Sequence, residues 1–404
     1  MQDAFIGRQP IFDRNIEVYA YELLYRHGFV NYAEIDDDDA ASGTVLVNLL
    51  LEIGLDNLVG KHKAFCNFTR GFLLQEKDLA FAADRLVVEV LETVEAEEEI
   101  VQAVKGYAER GHMIALDDFV YSEALRPLVD LAELIKIDVM ELGMEETAQQ
   151  VKILRTVKPS LKFLAEKVET KEEFQQCLDL GFDYFQGYFF SKPVVVTGKK
   201  LPPARLAMLQ LMSELQSSDV SMERIEEIIQ ADVNLSVKLL RQVNSSYYNL
   251  INEVTSIKQA IVRVGLQHIR TWASVLIMGS VSDKPDELMT MALVRGKMCE
   301  LIAVQQRSRQ ETSYFTVGLF SLLESILDAP MEHILNELPL SDEINRALLF
   351  GEGRMGRVLH CVQDYEQGDW VAVETRGIAQ DVVVESYWEA ISWADDISES
   401  MSQV

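Results

Sequence analysis

At 404 residues, with 48% hydrophobic and 25% charged side chains, the chain excludes extended disorder and exceeds the length at which one core usually stops growing. Two domains are expected. Its 65 acidic against 37 basic residues give a net charge of -28, a field that repels phosphate backbones and excludes nucleic acid as a partner of any broad surface.

From Ala4 to about Phe190, short apolar β-rich runs alternate with stretches of helical period, the rhythm of a largely parallel sheet with crossover helices. The runs are Ala4 to Gly7, Val18 to Leu24, Ala64 to Phe68, Leu86 to Val90, Met113 to Leu116, Leu134 to Ile137, Phe163 to Ala165 and Tyr184 to Tyr188. That pattern predicts a closed barrel of the (β/α)8 kind over residues 1–193. Gly198-Lys199-Lys200 with Pro202 and Pro203 just beyond marks residues 194–200 as the linker. The strand rhythm then stops. Ser221 is the expected N-cap of an amphipathic helix through Ile225, Ile228 and Ile229, and helical period continues over Leu235 to Val243, Ile257 to Val264, His268 to Met278 and Phe315 to Leu327. The fold class is therefore α/β followed by an all-helical domain over 201–404.

The acidic runs Asp36 to Asp39 and Glu97 to Glu99 read as solvated loops or helix ends, since consecutive carboxylates cannot all face one ion. Cys66, Cys177, Cys299 and Cys361 form no Cys-x-x-Cys pair and read as reduced thiols. No run reaches the ~18 apolar residues of a membrane span. Met1 to Asp13 lacks the order of a signal peptide, so a cytoplasmic location away from membranes is expected.

Polar residues fall at the C-terminal ends of the apolar runs, where barrels of this type assemble their sites. They are Glu22, Asn67, Glu89 with Glu92, Asp117 with Asp118, Lys136 with Asp138, Glu166 with Glu169, and Gln186. So many carboxylates on one rim would repel strongly, and a bound cation resolves that. Oxygen donors select Mg2+ or Mn2+, and a pair of ions ~3.5 to 4 Å apart bridged by Asp117 could activate water for attack on a phosphodiester.

Gln9-Pro10-Ile11-Phe12, Glu22-Leu23-Leu24-Tyr25-Arg26, Asn67, Glu89-Val90-Leu91-Glu92, Ala115-Leu116-Asp117-Asp118-Phe119, Lys136-Ile137-Asp138, Ala165-Glu166-Lys167-Val168-Glu169-Thr170 and Gln186-Gly187-Tyr188 resemble the EAL family of cyclic di-GMP phosphodiesterases. The resemblance implies metal ligation by Glu22, Asn67, Glu89 and Asp117, with Asp118 at a second ion. It implies that Lys136 steadies the attacking water, Glu166 acts near the general-base position, Arg26 meets a ligand phosphate, and Gln186, Glu92, Asp138 and Glu169 support the site. Mg2+ or Mn2+ is the implied cofactor and cyclic di-GMP the implied ligand. The family's coupling loop also makes a homodimer an expected assembly.

Several positions depart from the family pattern. Leu23 replaces an alanine, Val120-Tyr121-Ser122 replace a glycine-containing loop, Lys167 replaces a glycine, and His27 to Asp39 replace a Pro-rich stretch that covers substrate. An intact set of ligands favours a working phosphodiesterase, whereas these departures favour a regulator with weak or lost activity; a nucleotide-independent scaffold is the third reading.

Asp232 to Tyr248, Val254 to Ile261 and Val264-Gly265-Leu266 resemble the HDOD family, a domain related to HD hydrolases. Such hydrolases need adjacent His and Asp at one ion, and where they would carry that pair this chain reads Gly318-Leu319-Phe320-Ser321-Leu322. The helical domain is expected to bind a protein partner and not to be an enzyme. His268 reads as a core or interface histidine, Met208 to Met212 as core, and Asn244 to Tyr248 as helix-end packing or a partner surface.

Overall fold

The computed structural model describes residues 4–27, 54–75, 81–189, 211–212, 214–215, 221–231, 233–244, 253–281 and 285–402. The expected loop at Asp36 to Asp39, the linker 194–200 and Met208 lie outside them. The chain divides into two units, Met1–Phe190 and Ser191–Val404.

The first unit is a closed barrel in the order β1-β2-β3-β4-β5-β6-β7-β8. Its strands are β1 Ala4–Phe12, β2 Val18–His27, β3 Lys63–Phe68, β4 Leu86–Val90, β5 Met113–Leu116, β6 Leu134–Asp138, β7 Lys162–Glu166 and β8 Tyr184–Phe185. Pairing from β2 to β8 is parallel, but β1 runs antiparallel to both β2 and β8. The cause is the tight turn after Phe12, too short for a crossover. Asp13 Oδ1 accepts the amides of Asn15 (2.8 Å) and Glu17 (3.0 Å), and the Asp13 amide donates to Glu17 O. Strand β8 is shorter than the sequence pattern suggests, so Gln186 stands just past its end.

Alternation along the strands organises the interior. Ile11, Ala20, Phe65, Val87, Ala115, Leu134, Leu164 and Tyr184, one from each strand, form a single buried apolar layer. Two residues further on, on the same face, stand Glu22, Asn67, Glu89, Asp117, Lys136, Glu166 and Gln186. On antiparallel β1 the equivalent step runs backwards, from Ile11 to Gln9. Every strand thus delivers one polar side chain above a hydrophobic floor.

Helices flank the strands with ordinary caps. Glu97 is the N-cap of Glu98–Glu109 and Glu98 and Glu99 fill its first turn, so this acidic run is a helix end. Thr170 and Glu173 make a reciprocal capping box on Lys171–Leu180. Beyond the strand ends, Gly187 (φ 140°) leaves no space for a side chain: a Cβ there would lie 2.2 Å from Val168 O and 2.5 Å from Val168 N.

The second unit is helical throughout its described residues. The expected helices form as Met222–Gln230, with Ser221 Oγ accepting from the Arg224 amide, Val233–Val243, Ile257–Val264 and Leu266–Val281. The run from Phe315 to Leu327 is broken into Glu311–Phe320 and Leu323–Leu327. Helix Asp286–Gln305 is buried along most of its length between Glu311–Phe320 and Gln380–Ser402. His268 is exposed on Leu266–Val281, which corrects the expectation of a core position, although the interface alternative stays open; Met212 is buried. Asn244 clamps the backbone of Val254, its Oδ1 accepting from Val254 N at 2.7 Å and its Nδ2 donating to Val254 O at 2.8 Å, which is helix-end packing for that residue; Ser245 to Tyr248 lie outside the described residues. All four cysteines are free and buried.

The Gly187 contact gives a direct test of how the β7 and β8 ends are held together. Gly187→Ala must push Val168 away and is expected to cost about 2 kcal/mol or more, read as a lowered urea midpoint at unchanged slope.

Candidate functional site

The layer of polar residues centres on Lys136, whose side chain is 1% exposed. Its ammonium donates to Glu22 Oε2 at 3.3 Å and to Glu89 Oε1, and lies 2.7 Å from Asp117 Oδ1 and 2.9 Å from Glu166 Oε1. Burial alone would lower the lysine's pKa. Glu166, Glu22, Glu89 and Asp117 outweigh it and raise that pKa well above the usual value, so the group stays charged. Burial, opposed by Lys136 and reinforced by the neighbouring acids, pushes the Glu89 and Glu166 carboxyls well above the usual range. Asp118 is raised for the same first reason, with Asp117 adding to it.

A second set of bonds fixes Glu22. Asn67 Nδ2 donates to its Oε1 at 3.3 Å, and Gln186 Nε2 donates to its Oε2 at 2.7 Å and to Gln9 Oε1 at 3.0 Å. Gln9 was not singled out as a site residue from the sequence. The signal was there: in an antiparallel β1 the side chain above Ile11 is the one two positions earlier.

Oxygen acceptors without donors mark what is left over. Asn67 Oδ1, Glu89 Oε2, Asp117 Oδ1, Asp118 Oδ1, Glu166 Oε2 and Gln186 Oε1 are buried and accept no hydrogen bond. Asp117 Oδ1 is near the ammonium but out of line for a bond. Ligand atoms of Asp117, Asp118 and Glu166 lie within 4.8 Å of one another, and among the described residues this is the cluster able to hold a metal. An all-oxygen set with this much negative charge fits a hard divalent cation.

The remaining candidates stand further out. Asp138 is the N-cap of Val139–Val157; its Oδ1 accepts from Met140 N and Glu141 N, both at 2.9 Å, and its Oδ2 pairs with Lys167. Glu169 is half-buried, directly before the Thr170 cap. Glu92 is exposed on the turn after β4. Arg26 stands in β2 opposite Phe5, and its side chain lies outside the described residues. Asp118 (φ 40°) and Lys167 (φ 53°) both take the left-handed region right after β5 and β7, conformations that cost a side-chain-bearing residue roughly 1 kcal/mol or more. The positive φ at Lys167 accounts for the glycine of the family pattern, and its ammonium faces Asp138. The Val120-Tyr121-Ser122 loop is tied down, with Tyr121 N donating to Gln150 Oε1 (3.0 Å) and Tyr121 Oη to Glu123 Oε2 (2.8 Å).

In the helical unit, the stretch expected to lack a His-Asp pair is packed shut. Leu319, Phe320 and Leu322 are buried. Ser321 Oγ accepts from Arg295 Nη1 at 2.8 Å and donates to Gly318 O at 2.7 Å, while Arg295 Nη2 donates to Glu366 Oε2 at 2.6 Å. A Cβ on Gly318 would meet Arg295 O at 2.5 Å and Gly296 Cα at 2.7 Å, so two helices touch backbone to backbone there. An arginine ion pair fills the space.

A barrel closed over a carboxylate-rich mouth and followed by a helical unit defines a two-domain class, and comparison with known proteins agrees. The EAL domain family matches residues 46–193 and the HDOD domain family residues 201–328. The cyclic di-GMP phosphodiesterase CdgJ of Vibrio cholerae is 33% identical over 405 residues, covering 98% of this chain and 94% of its own. YuxH of Bacillus subtilis is also 33% identical, over 98% of this chain and 99% of its own. Among solved structures, Klebsiella pneumoniae BlrP1 in its calcium and cyclic di-GMP complex is 23% identical, with a TM-score of 0.38, over 48% of this chain and 56% of that one. The chain belongs to the family of proteins that join an EAL domain to an HDOD domain.

Lys136 provides the test of this electrostatic arrangement. Lys136→Met leaves several buried carboxylates facing one another, and a loss of about 3–5 kcal/mol is expected in urea unfolding without metal. Added Mn2+ should restore part of that loss.

Proposed function

We propose that the chain is a cyclic di-GMP signalling protein. Its barrel, residues 1–193, holds Mg2+ or Mn2+ and the dinucleotide and hydrolyses it slowly at most. Its helical domain, residues 201–404 after the 194–200 linker, binds a protein partner. The single observation that carries the metal is the set of donor-less buried oxygens around Asp117, Asp118 and Glu166. Asp117, Asp118 and Glu166 would hold the cation, with Glu22, Asn67 and Glu89 on the adjoining strands. Bound there, a divalent cation would offset phosphate charge and acidify water. Lys136 offsets part of the cluster's negative charge, Gln186 and Gln9 hold Glu22 in orientation, and Arg26 would meet a phosphate of the ligand. CdgJ, named a cyclic di-GMP phosphodiesterase, supports the choice of dinucleotide.

Slow turnover is inferred from the substitutions around the ligands. The tied Val120-Tyr121-Ser122 loop and the Lys167 cation beside Asp118 both stiffen or recharge the place where a preorganised site is needed. The second reading, a working phosphodiesterase, is favoured by the same oxygen cluster. The Arg295-Glu366 pair beside Gly318-Leu319-Phe320-Ser321-Leu322, where a hydrolase would carry its His-Asp pair, supports protein binding over hydrolysis. No helix among the described residues is long and apolar enough to cross a membrane. The reduced cysteines support a cytoplasmic setting.

Full-length protein titrated with cyclic di-GMP and Mn2+ separates the readings. The expected result is metal-dependent binding heat, a metal-induced rise in Tm that is lost in Asp117→Asn and Asp118→Asn, and little linear product. Robust hydrolysis abolished by Glu22→Ala would establish the second reading, and absence of both heat and metal shift would leave neither.

A further inference from the structure

The helical unit contains a cavity of about 270 Å³ lined by Gln306, Arg354, Arg357, Val358, Gly377 and Ile378. We infer that it is a binding site for a small phosphate-bearing molecule, with Arg354 and Arg357 as the phosphate ligands. The pocket lies far along the chain from the barrel's acidic mouth. Most of its lining comes from residues beyond the span that matches the HDOD family, and nothing in the proposed function uses it.

The argument begins with charge. Acidic side chains outnumber basic ones 65 to 37 in this chain, so a cation has many candidate partners. The neighbouring arginines use them: Arg346 pairs with Glu352 at 3.6 Å and Arg376 with Asp364 at 2.6 Å. Among the described residues Arg354 and Arg357 have neither an ion pair nor a hydrogen bond. They stand three apart on helix Gly353–Glu366, where neighbouring like charges repel unless an anion sits between them.

The rest of the lining suits a phosphate ester better than a simple anion. Two guanidiniums balance the dianion of a phosphate monoester, whereas a carboxylate would balance only one, and their planar forks match its oxygens. Gln306 adds an amide that can donate or accept. Val358, 1% exposed, and Ile378 supply an apolar wall for the body of the molecule. Gly377 (φ 68°) has nothing within 4 Å of where a Cβ would be, so the rim is open. A cavity near 270 Å³ limits the occupant to a small metabolite.

Inorganic phosphate is the probe, added to the full chain in EDTA so that a metal in the barrel contributes nothing. Phosphate should raise Tm above a sodium chloride control of equal ionic strength and broaden its own 31P resonance in proportion to protein. Arg354→Gln and Arg357→Gln should each weaken half-saturation by about tenfold, the loss of one charge-assisted contact, and together abolish both responses. Arg346→Gln should leave them intact. Circular dichroism of the double variant, with its Tm in chloride, checks that it is folded. No response beyond chloride in the wild type, or a response that survives in the folded double variant, overturns the inference. Because the barrel's cation is removed throughout, either result leaves the proposed function of the barrel untouched.

Discussion

The ammonium of Lys136 is the contact on which the barrel's mouth depends. It lies within 3.3 Å of carboxylates from β2, β4, β7 and the end of β5, strands spread along the chain from Val18 to Glu166. Four carboxylates around one cation still leave excess negative charge, and burial first, with the neighbouring acids adding to it against Lys136, raises the proton affinity of Glu89 and Glu166. Burial makes each of these charges costly unless paired, which is why the layer beneath them must be closed and dry. The apolar ring from Ile11 to Tyr184 supplies that floor. Fold and electrostatics are therefore one problem: the barrel places the charges together, and the lysine makes their proximity tolerable.

Much of this was legible from residue order alone. Seven of the strands carry a polar residue two positions past an inward apolar one, a period-2 signal that survives without any knowledge of the fold. What the sequence concealed was direction. A rule that looks for polar residues at the C-terminal ends of strands finds Glu22, Glu89 and Glu166 but passes over Gln9, because β1 runs the opposite way. It also collects neighbours that face elsewhere. Glu92 follows the same strand as Glu89 yet is exposed, and Asp138 follows Lys136 on its face but turns to cap the next helix. Strand-end carboxylates serve helix starts as readily as ions, and spacing cannot separate those uses.

The helical unit shows the converse. Periodicity located its early helices to within a few residues, since their apolar faces are regular. It failed at Phe315 to Leu327, where the chain is apolar all round and the period carries no boundary. It also gave His268 no reliable depth, because a histidine on an apolar stretch can still sit on the outer face. The absence of a His-Asp pair, in contrast, was readable directly. The structure adds that Arg295, Ser321 and Glu366 have taken over the space with a buried polar network of their own. Arg354 and Arg357 stand exposed, two cations close together in a chain of net charge -28.

The central claim is that the oxygens left over around Lys136 form a cation site. Anomalous diffraction at the manganese edge, from crystals of the full chain grown with Mn2+, tests it most directly. The account predicts a peak within coordination distance of Asp117, Asp118 and Glu166, with Lys136 still charged beside it. No peak in the barrel, or one whose ligands include none of those three carboxylates, would contradict it.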